Sequence, residues 1–262
     1  MKEQVANNSY DARFSDILGG TEYDDLLIAL EFYNEFEAET GKALKDYIDK
    51  YCSDQQEIKV LEVGPGTGIT TLELLKADPR VKVVSVDNEP KMINAVRKRF
   101  EEVSELKNRV EFVLSDILEF LESCPDESFD AFASVYTLHN FTSDFRKTVI
   151  GLIARKLKSG SVFINGDKYA RSNDLHRQDF ANEIRSLGKF DSAADEAEKK
   201  GDMLRAEHLR KLKPEWITHI NEDEKNKITV EEQNKIFLKL GFIDIEWMRR
   251  FDLVVTVKAI KP

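Results

Sequence analysis

Glu62, Gly64, Gly66, Gly68 and Asp87 are the residues whose types and spacing could do chemistry in this chain. The three glycines stand at alternate positions in Lys59-Val60-Leu61-Glu62-Val63-Gly64-Pro65-Gly66-Thr67-Gly68. Glycine admits unusual backbone angles and lets a ligand come close to the main chain. Ile69 to Ala77 carries a helical pattern, so the turn offers backbone N–H groups at a helix start. Val60, Leu61 and Val63 form a β-rich apolar run into that turn. One βα unit later the strand-like Val81 to Val86 ends at Asp87, whose carboxylate can accept hydrogen bonds from both hydroxyls of a ribose.

These residues need a scaffold, and the hydrophobic pattern supplies one. Strand signals fall near 58–63, 81–86, 110–114, 129–135 and 161–165, with helices near 69–77, 90–102 and 142–157. Such alternation implies an α/β fold with a parallel sheet covered on both faces. Ligands of open α/β sheets bind beyond the carboxyl ends of the strands. Glu62 and Gly64, Asp87, Asp116, Tyr136, and Asp167 with Lys168 follow strands one to five at those ends. Before the sheet, Tyr23 to about Tyr51 reads as helical, with Gly41 dividing it into two helices. After Gly166 the rhythm changes, and 170–228 is charged and helical. Val230 to Leu240 reads as a helix ended by Gly241, and 243–248 and 253–260 as a closing strand pair.

Composition bounds the function. The 262 residues are 41% hydrophobic, enough for one large core or a core with a smaller cap. A formal net charge of -10 argues against non-specific binding to nucleic acid or anionic membrane. Cys52 and Cys124 form neither metal-ligand spacing nor a disulfide framework, as expected of reduced thiols in a cytoplasmic protein. No metal site is expected. Met1 to Phe14 is polar, unlike a signal peptide, and no apolar run is long enough to span a bilayer. Either a monomer or a homodimer is compatible with the charge pattern.

A glycine turn followed by an acid also describes dinucleotide sites. That fingerprint is G-x-G-x-x-G, whereas this spacing is G-x-G-x-G, and Glu62 would face a pyrophosphate with negative charge. A cofactor bearing a cationic amine and a sulfonium suits Glu62 better. Here the chain resembles the class I S-adenosyl-L-methionine (SAM)-dependent methyltransferases, in the motif Glu62 to Gly68, in Asp87, in Ser115-Asp116-Ile117, and in Phe129 to Tyr136. The resemblance covers about 58–165 and 230–260. It implies a Rossmann-like, seven-stranded, mostly parallel sheet with an antiparallel last strand. It also implies SAM as cofactor, with Asp87 on the ribose, and Asp116 and Ile117 on the adenine.

The expected domain organisation follows: an N-terminal helical segment (1–57) over the cofactor, a core (58–169), a helical cap (170–229) and a closing helix and strand pair (230–262). Cofactor contacts are expected from Glu62, Gly64, Pro65, Gly66, Thr67, Gly68, Asp87, Asn88, Met92, Ser115, Asp116, Ile117 and Tyr136, and from Tyr10, Phe14 and Tyr23 of the N-terminal segment. Met92 reads equally as helix core, and Phe14 as ordinary packing. Aromatic rings can pack on a sulfonium through cation–π attraction. Candidate catalytic residues are Tyr136, His139 and Lys168. His139 can accept a proton near neutral pH, or can cap the helix that follows and satisfy the core. Lys168 can bind a substrate carboxylate or phosphate, or sit in solvent.

Methyl transfer onto a small-molecule acceptor is the first functional expectation. A narrower resemblance, in Phe14 to Tyr23, Gly166-Asp167-Lys168-Tyr169 and the charged insert, is to the carboxy-SAM synthase group, whose product serves transfer-RNA modification. A non-catalytic SAM-binding partner subunit is the third reading, because fold does not fix function.

Overall fold

A computed structural model of the chain describes residues 25, 27–30, 32–103, 105–223 and 227–262. Seven strands form one sheet in the order β3-β2-β1-β4-β5-β7-β6. They are β1 (Ile58–Val63), β2 (Val81–Asp87), β3 (Val110–Leu114), β4 (Phe129–Val135), β5 (Leu157–Lys168), β6 (Ile243–Phe251) and β7 (Val254–Ile260). The first five run parallel. β7 inserts antiparallel between β5 and β6.

The side-chain period of two divides the core between the faces. On one side Ile58, Val60, Ala131, Ala133, Val162 and Ile164 pack under α1 (Tyr33–Tyr51), α2 (Ile69–Ala77) and α3 (Pro90–Glu102). On the other, Leu61, Val63, Phe132 and Phe163 pack under α4 (Ile117–Ser123), α5 (Ser143–Lys156) and, further along the chain, α9 (Val230–Lys239). Inserted between β5 and α9 are α6 (Asn173–Ser186), α7 (Gly188–Lys199) and α8 (Met203–Asp223). These gather their own apolar cluster around Phe190, Leu209, Trp216 and Ile220. Among the described residues no helix is long and apolar enough to cross a membrane.

Three sequence expectations change. Gly41 does not divide a helix: α1 runs unbroken through it. A Cβ at Gly41 would meet the Glu73 carbonyl oxygen at 2.9 Å, so the glycine is there to let α2 approach. β5 begins at Leu157, directly after α5, rather than near 161. The short α4 was not foreseen; Asp116 caps it, its Oδ1 accepting from the N–H groups of Leu118 (2.8 Å) and Glu119 (3.3 Å).

Gly41→Val should therefore lower stability by about 1–3 kcal/mol, the cost of overpacking a close contact, despite valine's better helix propensity. A shift of the urea midpoint checks this; an unchanged midpoint would show that the two helices separate freely.

Candidate functional site

The carboxyl ends of β1 to β4 open into a cavity of about 190 Å³. Along its wall lie Ser115, Asp116 and Ile117 after β3, Asp87 and Asn88 after β2, Gly64, Pro65 and Gly66 after β1, and Tyr136 after β4. Met92 on α3 adds an apolar wall. Residues placed far apart in the sequence thus meet in strand order.

The turn after β1 is built on positive φ, with Gly64 at 72°, Gly66 at 53° and Gly68 at 90°. A Cβ at Gly64 would lie 2.2 Å from Thr137 Oγ1, so only glycine lets the ends of β1 and β4 touch. Gly68 opens α2 as its N-cap. Thr67 and Gly68 support the turn from behind the cavity wall. Glu62 is also placed beneath the turn rather than in the wall: it is fully buried, and its Oε2 accepts from Thr71 Oγ1 of α2 at 2.7 Å.

Asp87 Oδ1 accepts from the Glu89 N–H at 2.9 Å, which fixes the carboxylate at the cavity edge. Burial pushes its pKa up to about 6. Glu62 is pushed up to about 7 by the same cause. Both carboxyls are thereby biased toward the protonated form, Asp87 at the cavity edge and Glu62 beneath it. Asp116 serves two ends at once, capping α4 while facing the cavity beside Ile117.

Tyr136 is the strained residue of the site, with φ of 52°. A bulky residue in the left-handed region is an outlier that points to function. Its N–H bonds the Gly166 carbonyl at 2.9 Å. Its ring stacks on Tyr33 at 5.7 Å between centroids and meets Phe36 edge-on at 5.2 Å. Tyr136 also borders a second, smaller cavity of about 50 Å³, walled by Lys168, Asn182, Glu183, Phe251 and Leu253. Tyr136 therefore borders both chambers.

Lys168 does not sit in solvent. It is buried, and its Nζ lies 2.5 Å from Glu183 Oε1 on α6. Lys227 approaches the other Glu183 oxygen at 3.7 Å. Burial opposes the Glu183 charge, yet these two cations hold its carboxyl below the ordinary range. His139 lies outside both cavity walls, in a 3-10 turn at Leu138–Asn140. Its Nδ1 is 2.6 Å from Asp167 Oδ1, and both groups are buried. Burial opposes the Asp167 charge, but His139 and Arg146 keep its carboxyl below the usual value. The pair joins the ends of β4 and β5, the core-satisfying alternative for His139. Tyr10, Phe14 and Tyr23 lie outside the described residues.

Sequence reasoning missed Tyr33 and Glu37 of α1, together with Thr70, Thr137, Asn140 and Phe141, all in the main cavity wall. Glu37 had a legible signal: it falls at helical spacing from Tyr33, Thr40 and Leu44, an acid on a buried face. No group of three metal-ligating side chains occurs among the described residues.

Residues 60–160 match the family of the methyltransferase domain. The carboxy-S-adenosyl-L-methionine synthase of Nautilia profundicola is 26% identical over 180 residues, 66% of this chain and 69% of that enzyme. The CurJ carbon methyltransferase superposes with a TM-score of 0.58 at 14% identity, over 86% of this chain and 54% of that one. A SAM-dependent methyltransferase from Aquifex aeolicus gives 0.52 at 16% identity, over 85% and 89%. The chain thus spans only about half of the carbon methyltransferase it matches. The resemblance read from the sequence thus recurs as a methyltransferase-domain match over residues 60–160 and as a likeness of fold.

A carboxyl whose folded pKa lies above its unfolded value binds its proton more tightly when native. The stability it contributes is present below the unfolded value near 4.5 and is lost as pH rises through about 7. Glu62→Gln keeps an acceptor for Thr71 but has no proton to lose. Its stability relative to wild type should improve by about 1–3 kcal/mol between roughly pH 5 and pH 8. Urea unfolding at both values checks this, and a constant difference would show that Glu62 stays ionised.

Proposed function

We propose that this protein is a SAM-dependent methyltransferase acting on a small-molecule acceptor, in the cytoplasm, as a monomer or homodimer. The observation that carries the reading is the single cavity running from Asp116 past Asp87 and the glycine turn to Tyr136. Its donor set suits a nucleoside with a charged tail: apolar walls at Ile117 and Met92 for the base, a fixed carboxylate at Asp87 for the ribose, and a close backbone at Gly64 and Gly66. SAM, when bound, supplies a methyl group already activated for in-line attack.

The protein's share of the work is placement. Asp116 and Ile117 orient the base, and Asp87 holds the ribose hydroxyls. Tyr136 excludes water and packs against the transfer region. The second cavity is the acceptor's side, with 170–229 as the cap that selects it and Lys168, paired with Glu183, tying the cap's first helix to the end of β5. His139 is a positioning residue that fixes the turn carrying Tyr136. The remaining core, 58–169 and 230–262, and α1 of the N-terminal segment enclose the donor.

A second reading is a carboxy-SAM synthase-like enzyme linked to transfer-RNA modification, favoured by the match to the Nautilia enzyme over two thirds of the chain. A non-catalytic SAM-binding subunit is the third.

Methyl-labelled SAM incubated with the protein and a metabolite extract should yield a labelled small molecule. Binding without transfer would favour the partner-subunit reading, and a carboxylated SAM mass in the purified protein would favour the synthase. Asp87→Ala should weaken SAM binding by about 1–3 kcal/mol through lost charge-assisted hydrogen bonds. Unchanged affinity in calorimetry would remove Asp87 from the ribose.

A further inference from the structure

Glu37 is a buried carboxyl in the wall of the main cavity, carried by α1 and apart from the strand ends assigned to the nucleoside. Its Oε2 accepts from Thr70 Oγ1 at 2.6 Å, and Tyr33, one turn earlier on α1, also bonds it. No cation pairs with it among the described residues. Burying an acid without a cation is costly. Burial accordingly pushes its pKa up to about 7, with the nearby Glu62 and Glu73 adding repulsion.

Position narrows what Glu37 could recognise. Sheet order places β3, β2, β1 and β4 side by side, so Asp116, Asp87, the glycine turn and Tyr136 succeed one another across the cavity. α1 crosses at the far end: Phe36, adjacent to Glu37, packs on Gly166 of β5, where an added Cβ would meet its ring at 2.8 Å. With the nucleoside at Asp116 and Asp87, the ligand's tail extends over the glycine turn toward Glu37 and Tyr33.

We propose that Glu37 binds the α-ammonium of the donor's amino-acid tail and so separates tailed nucleosides from those without that group. The inference rests on the SAM reading above. It needs no new bond: a proton leaves Glu37 for solvent, and the carboxylate pairs with the ammonium.

The test titrates wild type and Glu37→Gln with SAM, S-adenosylhomocysteine and methylthioadenosine by calorimetry. The glutamine retains an acceptor for Thr70. Expected is a tenfold or greater loss of affinity for the first two ligands and no change for methylthioadenosine, which lacks the ammonium. Equal losses for all three would reduce Glu37 to a structural role. A loss for SAM alone would place the acid at the sulfonium, and either result overturns the proposal. Wild type that binds none of the three would overturn the cofactor reading and the proposal with it.

A second measurement needs no variant. Near pH 6, in buffers of different ionisation enthalpy, S-adenosylhomocysteine should release close to one proton more than methylthioadenosine. Asp87 and Asp116 meet the nucleoside common to both ligands, so the difference isolates the tail, where Glu37, Glu62, Glu73 and Tyr33 are the titratable neighbours. Equal proton release would overturn the proposal.

Discussion

The contact between the ends of β1 and β4 fixes where everything else in this molecule can go. Thr137 Oγ1 would be 2.2 Å from any Cβ at Gly64, and Ser134 Oγ donates to the Val63 carbonyl at 2.9 Å. With those ends together, β1 must leave the sheet through a turn of left-handed glycines and enter α2 at once. The turn's backbone then faces the cavity, as at other helix starts that receive ligands. Tyr136, next to Thr137 at this closure, stands at φ 52° and is braced by Tyr33 and Phe36 from α1.

Electrostatics build on that geometry. Glu62 under the turn and Glu37 on α1 are buried acids, Asp87 after β2 is a partly buried one, and in all three loss of solvent favours protonation. Across Tyr136 the balance differs, with Lys168 and Lys227 converging on Glu183 at the foot of the cap. Tyr136 borders both cavities, and the second carries Asp179, Glu183 and Asp252 beside Lys168.

Much of this was legible beforehand, for physical reasons. Strands buried on both faces leave apolar runs, and the run into Gly64, Gly66 and Gly68 has few other interpretations. Site residues at strand ends follow from the parallel sheet alone. Other features left weak or misleading marks. Gly41 carries the usual sign of a helix break, but its meaning lies in the neighbouring Glu73 carbonyl, far off in sequence. β5 opens at Leu157, which pairs with Phe129, and continues through Lys158, Ser159 and Gly160, exposed residues without alternation. α4 spans only seven residues, too few to show a period, and its cap Asp116 resembled a ligand contact alone. Lys168 looked like a loop cation because Glu183, its partner, lies on the cap.

A crystal structure with S-adenosylhomocysteine bound tests the central claim most directly, that one cavity across β1 to β4 holds the donor. Its base should lie between Ile117 and Met92, its ribose hydroxyls on Asp87, and its tail over Gly64 and Gly66 toward Tyr136. Ligand seated elsewhere, or reversed so that the ribose leaves Asp87, would contradict the assignment of the cavity.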